Sequence, residues 1–442
     1  MALDNSKVGV AVAATLAFIA VHAHQLAHVA RRCQHPVRRQ FRTLDGARHG
    51  PRPGARDRES GASARDRRGH AARGLDKLWY DAISTSSSLV KYKRSADNGL
   101  TWGADVTLSP STPGILDGDP YLAACGTFVH VVYWRNPYNT LNGLLPATEI
   151  LYRRSPDEGV TWDSELVLSV NDTFWAGLAC SGSHVYVTYQ NAVNATNTEV
   201  FFQASTNNGD TFGVVRRISH ANGRSEDPGM FAQGSTIFIV WNDNRADLQH
   251  LEFFYIRSTD YGATWGPETA LTSYPPDETY SPFVIANGDN VVCLCMMEGI
   301  FSTMRSSDGG VSFSPLVAVS TVSYVGYPTA AFDGNGALHV VFAEIAQSGV
   351  AYYVNSTDAG ATWSAPVTIA SWSASNTGSA TAYIAASGEM LHVVYAMTPT
   401  GVTAPIGLYY TNNAKALSGT KAVSVFRGTR RRSLKLTLHA LI

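Results

Sequence analysis

The feature that most constrains this chain is an octapeptide, Ser-x-Asp-x-Gly-x-Thr-Trp, that occurs six times along its 442 residues. The copies are SADNGLTW (95–102), SPDEGVTW (155–162), STNNGDTF (205–212), STDYGATW (258–265), SSDGGVSF (306–313) and STDAGATW (356–363). Successive copies lie 48 to 60 residues apart, which is the length of one supersecondary unit. The chain is therefore predicted to repeat a single unit rather than to combine unrelated domains.

Four short strand patterns surround the octapeptides in a constant order. An apolar run such as YLAACG precedes a β-branched and aromatic run such as FVHVVYW, a third run such as EILYRR leads into the octapeptide, and a fourth such as ELVLS follows it. The 38 Gly and 19 Pro, with only 16% charged residues, fit many strands joined by tight turns. The predicted fold class is all-β, a β-propeller of four-stranded antiparallel blades.

The number of blades depends on the first unit. Complete first strands begin near Asp119, Trp175, Asp227, Ser281, Tyr327 and Thr381. Ahead of them, KLWYDAISTSSSLVKYKRS supplies later strands of another blade, whose inner strand would fall near residues 50–75, in an Arg-rich stretch. We predict seven blades with the first incomplete; six whole blades, with the N-terminal strands packed alongside, are the alternative.

The octapeptide is predicted to be structural. Its Asp is short enough to accept hydrogen bonds within the turn, its Gly supplies a positive φ, and its Trp or Phe covers the neighbouring blade. Each copy offers a single residue at the Asp position, and the third copy has Asn207 there instead. A calcium loop needs several oxygen ligands, so no metal site and no cofactor are predicted.

Charge is distributed unevenly along the chain. Residues 78–420 carry thirteen Lys and Arg against twenty-nine Asp and Glu, a net charge of −16, whereas residues 31–77 and 421–442 are basic. An acidic body does not favour nucleic acid as a partner. We predict an Arg-rich disordered segment over 24–77, a propeller over 78–420 and a basic tail over 421–442.

The N-terminus indicates export. The apolar run VGVAVAATLAFIAV has the length of a signal-peptide core and is short for a membrane span. We predict a signal peptide over residues 1–23, a secreted or cell-surface location, no other membrane span and a monomer. An uncleaved anchor is the alternative, because the positive flank is thin.

The five cysteines show no metal-ligand spacing. Cys125 and Cys180 each follow small apolar residues, which predicts two separate buried thiols. Cys293 and Cys295 lie two apart in an apolar run, so they should share one strand face within the core.

The repeated octapeptide resembles the Asp box, or BNR repeat, of propellers in the sialidase superfamily. The resemblance covers roughly residues 78–420. It implies the propeller fold and a glycan or glycoprotein surface as partner. Asp boxes also occur in propellers without sialidase chemistry, so the resemblance leaves open whether the chain is an enzyme.

In such a blade the Asp boxes lie on one rim, and the opposite rim carries the chemistry. Loops on that opposite rim contain Arg135, Arg224 and Arg245, and three guanidinium groups suit a sugar carboxylate. The resemblance implies an Arg triad, an acid/base Asp and a Tyr nucleophile paired with a Glu. The matching candidates in this chain are Asp119 as acid/base, Tyr327 as nucleophile, and Glu344 or Glu298 as its partner. The family's Arg-Ile-Pro segment is absent.

Two functions are compatible with these sequence features. The first is a sialidase-like glycoside hydrolase that removes a terminal acidic sugar such as sialic acid. The second is a non-catalytic propeller that serves adhesion or binds glycans or proteins.

Overall fold

The computed structural model describes residues 75–412 apart from short gaps, together with residues 436–441. The gaps are 85–86, 98, 100, 111, 140–142, 145–147, 171–172, 274–278, 298, 323–324, 345–349, 371–377 and 400–406. Within this part of the chain, no helix is long and apolar enough to cross a bilayer.

The described strands form seven antiparallel sheets. The first contains β1 Leu75–Ser84, β2 Ser87–Ser95, β3 Val106–Thr107 and, from the far end of the chain, β28 Leu436–Leu441. The second contains β4 Ile115–Cys125, β5 Phe128–Asn139, β6 Gly143–Leu144, β7 Glu149–Ser155 and β8 Leu166–Ser169. The third contains β9 Thr173–Ser181, β10 His184–Asn194, β11 Asn197–Ser205 and β12 Arg216–Arg217.

The remaining four sheets follow the same plan. They are β13 Ser225–Gln233, β14 Thr236–Asp243, β15 Glu252–Ser258 and β16 Thr269–Ala270; then β17 Thr279–Asn287, β18 Asn290–Met297, β19 Ile300–Ser306 and β20 Val317–Ala318. After them come β21 Val325–Phe332, β22 Leu338–Glu344, β23 Ala351–Ser356 and β24 Val367–Ala370; and finally β25 Gly378–Ser387, β26 Met390–Pro399 and β27 Gly407–Asn412.

The sheets are the blades of a ring, so the predicted β-propeller is confirmed. The inner strands β4, β9, β13, β17, β21 and β25 contact one another in that order, and β28 contacts both β25 and β4. Six sheets have a path of four strands, and the sheet of β25 has three described strands. The structure thus has seven sheets, as in the first of the two predicted blade counts.

The prediction that the first blade is incomplete was wrong, because this blade receives its inner strand from the C-terminal part of the chain. β28 pairs antiparallel with β1, from Asp76 opposite Leu441 to Asp81 opposite Leu436. The residues of β28 belong to the segment predicted as a basic tail. Next to this pairing, Leu75 packs against Ala385 of the last blade, which joins the two ends of the ring.

Each octapeptide is a closed hydrogen-bonded turn. In all six copies the Gly amide donates to the Ser hydroxyl at 2.7–2.9 Å. The amide of the Thr or Ser at the seventh position donates to the Asp or Asn Oδ1 at 2.7–3.1 Å. The predicted structural role of the box is confirmed. Asn207 keeps the same partners as the aspartates, although its Nδ2 donates to the Thr211 hydroxyl where an aspartate would accept.

The aromatic residue that ends the box packs against the preceding blade. Trp162 lies edge-on to Tyr92 with 4.9 Å between ring centroids, and Phe212 does the same to Tyr152 at 4.9 Å. Trp265 with Phe202 and Phe313 with Tyr255 repeat the arrangement. At these four interfaces the box therefore fastens its own blade to the third strand of the blade before it.

The prediction for Cys125 and Cys180 was wrong: they form a disulfide, with 6.2 Å between their Cα atoms. The two residues are 55 apart in sequence, so they occupy equivalent ends of the neighbouring inner strands β4 and β9. Sequence spacing hid the pair because their proximity arises only when two blades stand side by side. Cys293 and Cys295 are both buried, as predicted.

A first prediction concerns the box glycine. Gly209 has a φ of 75°, and a Cβ there would overlap the Tyr152 hydroxyl of the preceding blade. Gly182 has a similar φ of 60°, with no atom within 4 Å of its Cβ position. We expect Gly182→Ala to cost about 1 kcal/mol through backbone strain and Gly209→Ala about 2–4 kcal/mol through strain plus overlap. Urea unfolding of both variants measures the difference, and equal losses would contradict the packing role.

A second prediction concerns the disulfide. The double variant Cys125→Ser/Cys180→Ser should lose about 2–4 kcal/mol of unfolding free energy, because the bridge closes a long loop in the unfolded chain. Thermal melts with and without a reductant provide the measurement. The reductant should lower the Tm of the wild type and leave the double variant unchanged; a wild type insensitive to reductant would contradict a stabilising bridge.

Candidate functional site

A β-bulge recurs where the inner strands begin, on the rim opposite the Asp boxes. Five inner strands skip register there against their second strands. The bulges contain Asp119, Trp175, Asp227, Ser281 and Tyr327. The first four of these have φ values of 40°, 45°, 55° and 55°, a conformation that costs a non-glycine residue about 1 kcal/mol or more.

Two of the bulge side chains influence each other through their charges. Asp119 belongs to β4 and Asp227 to β13, two strands separated by β9, yet the charge of Asp227 raises the pKa of Asp119. The charges of both aspartates also raise the pKa of Tyr121, as does Tyr383 on β25. Groups from three inner strands that are not neighbours in the ring therefore interact electrostatically.

Both aspartates are weak acids in this position. Burial raises the pKa of Asp119 to about 7, against a hydrogen bond from Trp134 that lowers it. Burial, followed by the neighbouring charge of Glu226, raises the pKa of Asp227 to about 7. Near neutral pH the pair therefore holds a proton that can be given or taken.

The hydrogen bonds of the pair leave acceptors open. Trp134 Nε1 donates to Asp119 Oδ2 at 2.7 Å, and Asn242 Nδ2 donates to Asp227 Oδ2 at 3.2 Å. The Asp227 amide donates to Gln190 Oε1 at 2.9 Å, which fixes the bulge to the neighbouring blade. Asp119 Oδ1 and Asn242 Oδ1 are buried and have no hydrogen-bond partner. These two oxygens can accept hydrogen bonds from a ligand.

Two of the predicted arginines form ion pairs within their own blades. Arg135 Nε donates to Asp117 Oδ1 at 2.7 Å, and its Nη1 and Nη2 each donate to Glu165 at 3.0 Å. Arg245 donates from Nε and Nη2 to Asp243 at 2.8 and 2.7 Å, and from Nη2 to Glu268 at 2.6 Å. Glu165 and Glu268 stand at the same position, three residues after the box aromatic.

Arg224 is more open than the other two. Its side chain is 48% exposed, and Nη1 lies 3.4 Å from Glu226 Oε2. Among the contacts of the described residues, none joins two of the three arginines. The predicted carboxylate clamp therefore stays a prediction, and it would require Arg135 or Arg245 to exchange a present partner.

The backbones of the predicted nucleophile and its partner lie close together. Tyr327 is in the bulge of β21, and Glu344 ends β22 opposite Val325. Their side chains, like residue Glu298, lie outside the described part of the chain. Asp119, the predicted acid/base, is the one catalytic candidate whose side chain is described, and it lies at the centre of the rim.

Sequence reasoning missed the second carboxyl group. The strand pattern marks Asp227 only as the beginning of a first strand, although Asp119-Pro120 and Asp227-Pro228 are the same dipeptide at equivalent blade positions. That recurrence was the available signal. In the described residues, no group of three or more His, Cys, Asp or Glu side chains has the arrangement of a metal site.

Comparison with known proteins agrees with this fold. Residues 77–293 match the model of a family described as a BNR repeat-like domain. A search of curated proteins by sequence finds no match.

Solved structures with the same fold share little sequence with this chain. A Dyadobacter fermentans protein of unknown function is 13% identical, with a TM-score of 0.50 over 68% of this chain and 94% of that one. An ulvan lyase, a polysaccharide lyase, is 9% identical, with a TM-score of 0.50 over 77% of this chain and 95% of that one. A Trypanosoma rangeli sialidase in complex with sialic acid is 12% identical, with a TM-score of 0.43 over 70% of this chain and 55% of that one.

A third prediction uses the raised pKa of Asp119, which is 2% exposed. Because the folded state holds this proton more tightly than the unfolded chain, the group lowers stability as pH rises from about 4 to 7, by about 1.4 kcal/mol per pH unit. Asp119→Asn keeps an acceptor for Trp134 and removes this loss. Its Tm relative to the wild type should therefore increase from pH 5 to pH 8.

Asp260 provides the opposite control. Hydrogen bonds from Thr264 lower its pKa to about 2, so the ionised group contributes stability that is present above about pH 4 and is lost as pH falls through 2. Asp260→Asn should lower the Tm at pH 8. Thermal melts of both variants at pH 5 and pH 8 provide the test. A Tm difference between Asp119→Asn and the wild type that does not change with pH would contradict the raised pKa of Asp119.

Proposed function

Because the chain is an Asp-box (BNR-repeat) β-propeller, we propose that its central site is directed at a glycan and hydrolyses a glycosidic bond, with Asp119 and Asp227 as the two carboxyl groups. The observation that carries the proposal is the convergence of these aspartates beside two buried acceptors without donors. Sugar hydroxyl groups are donors of the kind that Asn242 Oδ1 lacks, and that Asp119 Oδ1 lacks when the carboxyl group is ionised.

The chemistry divides between the two aspartates. Asp119 Oδ2 already accepts the Trp134 indole hydrogen, so a proton on this carboxyl group belongs on Oδ1, the oxygen without a partner. From there it can be donated to the leaving oxygen of the glycosidic bond. Asp227, when ionised, supports the positive charge that develops on the sugar, and acts as nucleophile or activates water.

Aromatic residues beside the acids support a sugar ligand. Trp175 occupies the bulge between those of Asp119 and Asp227 and is partly exposed. The Trp134 ring lies beneath Gly118, whose missing Cβ would overlap it. Aromatic faces stack on the apolar faces of pyranose rings, and strained bulge residues are often found at binding sites.

The ulvan lyase of the same fold is a polysaccharide lyase, which supports a glycan as the ligand class. The narrower hypothesis from the sequence, a terminal acidic sugar such as sialic acid, depends on the arginine clamp and is tested by including a sialoside among the substrates. The disulfide is typical of oxidising compartments, and we propose the secreted or cell-surface location on that ground.

The fourth prediction tests catalysis directly. A panel of fluorogenic glycosides that includes a sialoside should contain a substrate for the full chain. Asp119→Asn and Asp227→Asn should each lower kcat by about 100-fold or more, as expected when a general acid or base is removed. The value of kcat/KM should be highest near pH 7, where the two aspartates together hold one proton.

Asp289→Asn is the matched control, because Asp289 is an exposed carboxylate at a turn on the Asp-box rim. It should leave kcat unchanged. Turnover that survives in both Asp119→Asn and Asp227→Asn would contradict the proposed mechanism. Saturable glycan binding without turnover by the wild type would instead support the non-catalytic propeller.

A further inference from the structure

The charges around the central site are predominantly negative. Asp119, Asp227 and Glu226 bring three carboxyl groups to the bulge rim, and Glu226 immediately precedes Asp227 on β13. Asn242, Gln190 and Trp134 contact the aspartates as neutral groups. Among the described residues, the cation that contacts this group is Arg224, which is paired with Glu226.

The other two arginines of the predicted clamp already have carboxylate partners. Arg135 balances Asp117 and Glu165, while Asp117 itself is 0% exposed. Arg245 likewise balances Asp243, which is 0% exposed, and Glu268. A sugar carboxylate that took either arginine would have to compete with two carboxylates already bound to it, Glu165 or Glu268 and a buried aspartate. Displacing the aspartate would leave it buried without its counter-ion, which is strongly unfavourable.

We infer that the central site selects an uncharged terminal sugar over a sugar that carries a carboxylate. This inference rests on the proposed function and names the substrate class of the same site. Asp119 is 2% exposed and Asn242 is 0% exposed, and the Oδ1 atom of each is a buried acceptor. A sugar hydroxyl group can donate to these oxygens, whereas a sugar carboxylate has no hydrogen to donate and is repelled by them. The aspartates and Glu226 act against an anionic ligand, so specificity arises from repulsion as well as from attraction.

The fifth prediction compares sugars that differ only at C6. The probes are 4-methylumbelliferyl glucosides and galactosides, each beside the corresponding uronide, together with a sialoside. At pH 7.5 and low salt, the full chain should prefer the uncharged member of any recognised pair by about tenfold or more in kcat/KM, or in Kd where there is no turnover. The preference should shrink in about 0.5 M salt, because salt screens the repulsion.

Lower pH and one variant give independent checks. At pH 5.5 the aspartates are mostly protonated, so the preference should also shrink. Glu226→Gln removes a charge beside Asp227, and it should narrow the preference by about threefold, whereas Asp289→Asn should leave it unchanged. Circular dichroism and thermal melts establish that both variants are folded.

The outcomes separate this inference from the proposed function. A recognised pair whose acidic member is preferred, or a preferred sialoside, would overturn the inference and leave a glycan-directed site standing. A preference that is insensitive to salt, pH and Glu226→Gln would also overturn it, because repulsion would then not be the cause. No binding or turnover of any probe would count against the proposed function itself.

Discussion

The edge-on contact between the box aromatic and the third-strand aromatic of the preceding blade is the interaction on which the ring depends. Trp162 against Tyr92 and Phe313 against Tyr255 have the same separation of 4.9 Å. The contact has nearly the same geometry at four interfaces between blades, which gives these neighbouring blades a similar displacement from each other. The box hydrogen bonds hold the aromatic residue in place, so a short sequence motif sets the shape of the whole molecule.

The stabilising turns and the weakly acidic carboxyl groups lie on opposite rims of the propeller. The Asp-box rim contains satisfied turns in which hydrogen bonds lower the pKa of aspartates such as Asp260. The bulge rim contains strained residues and carboxyl groups whose pKa values are raised, Asp119 and Asp227. The same residue type is a structural anion on one rim and a weak acid that still holds protons at neutral pH on the other, because hydrogen bonding dominates in the first case and burial in the second.

The sequence predicted the features that recur in every blade, and it did not predict the side-chain contacts between different blades. The strand order, the role of the box and the position of Asp119 at the beginning of an inner strand all follow from local patterns. The Cys125–Cys180 bridge and the interaction of Asp119 with Asp227 depend on which side chains of different blades face each other, and the strand patterns do not specify that. The engagement of Arg135 by Glu165 was equally hidden, because the two residues are far apart in sequence and their pairing depends on side-chain direction.

The pairing of β1 with β28 has a consequence for the order of folding. Asp76 meets Leu441, so this pairing joins the most distant described segments of the chain, whereas every other sheet forms from neighbouring strands. Contacts of long sequence separation form slowly, because a long loop must close before any stabilising contact is gained. The blades can therefore assemble first as an open arc, already bridged between β4 and β9, and joining the first blade to the last is the late step that converts the arc into a ring.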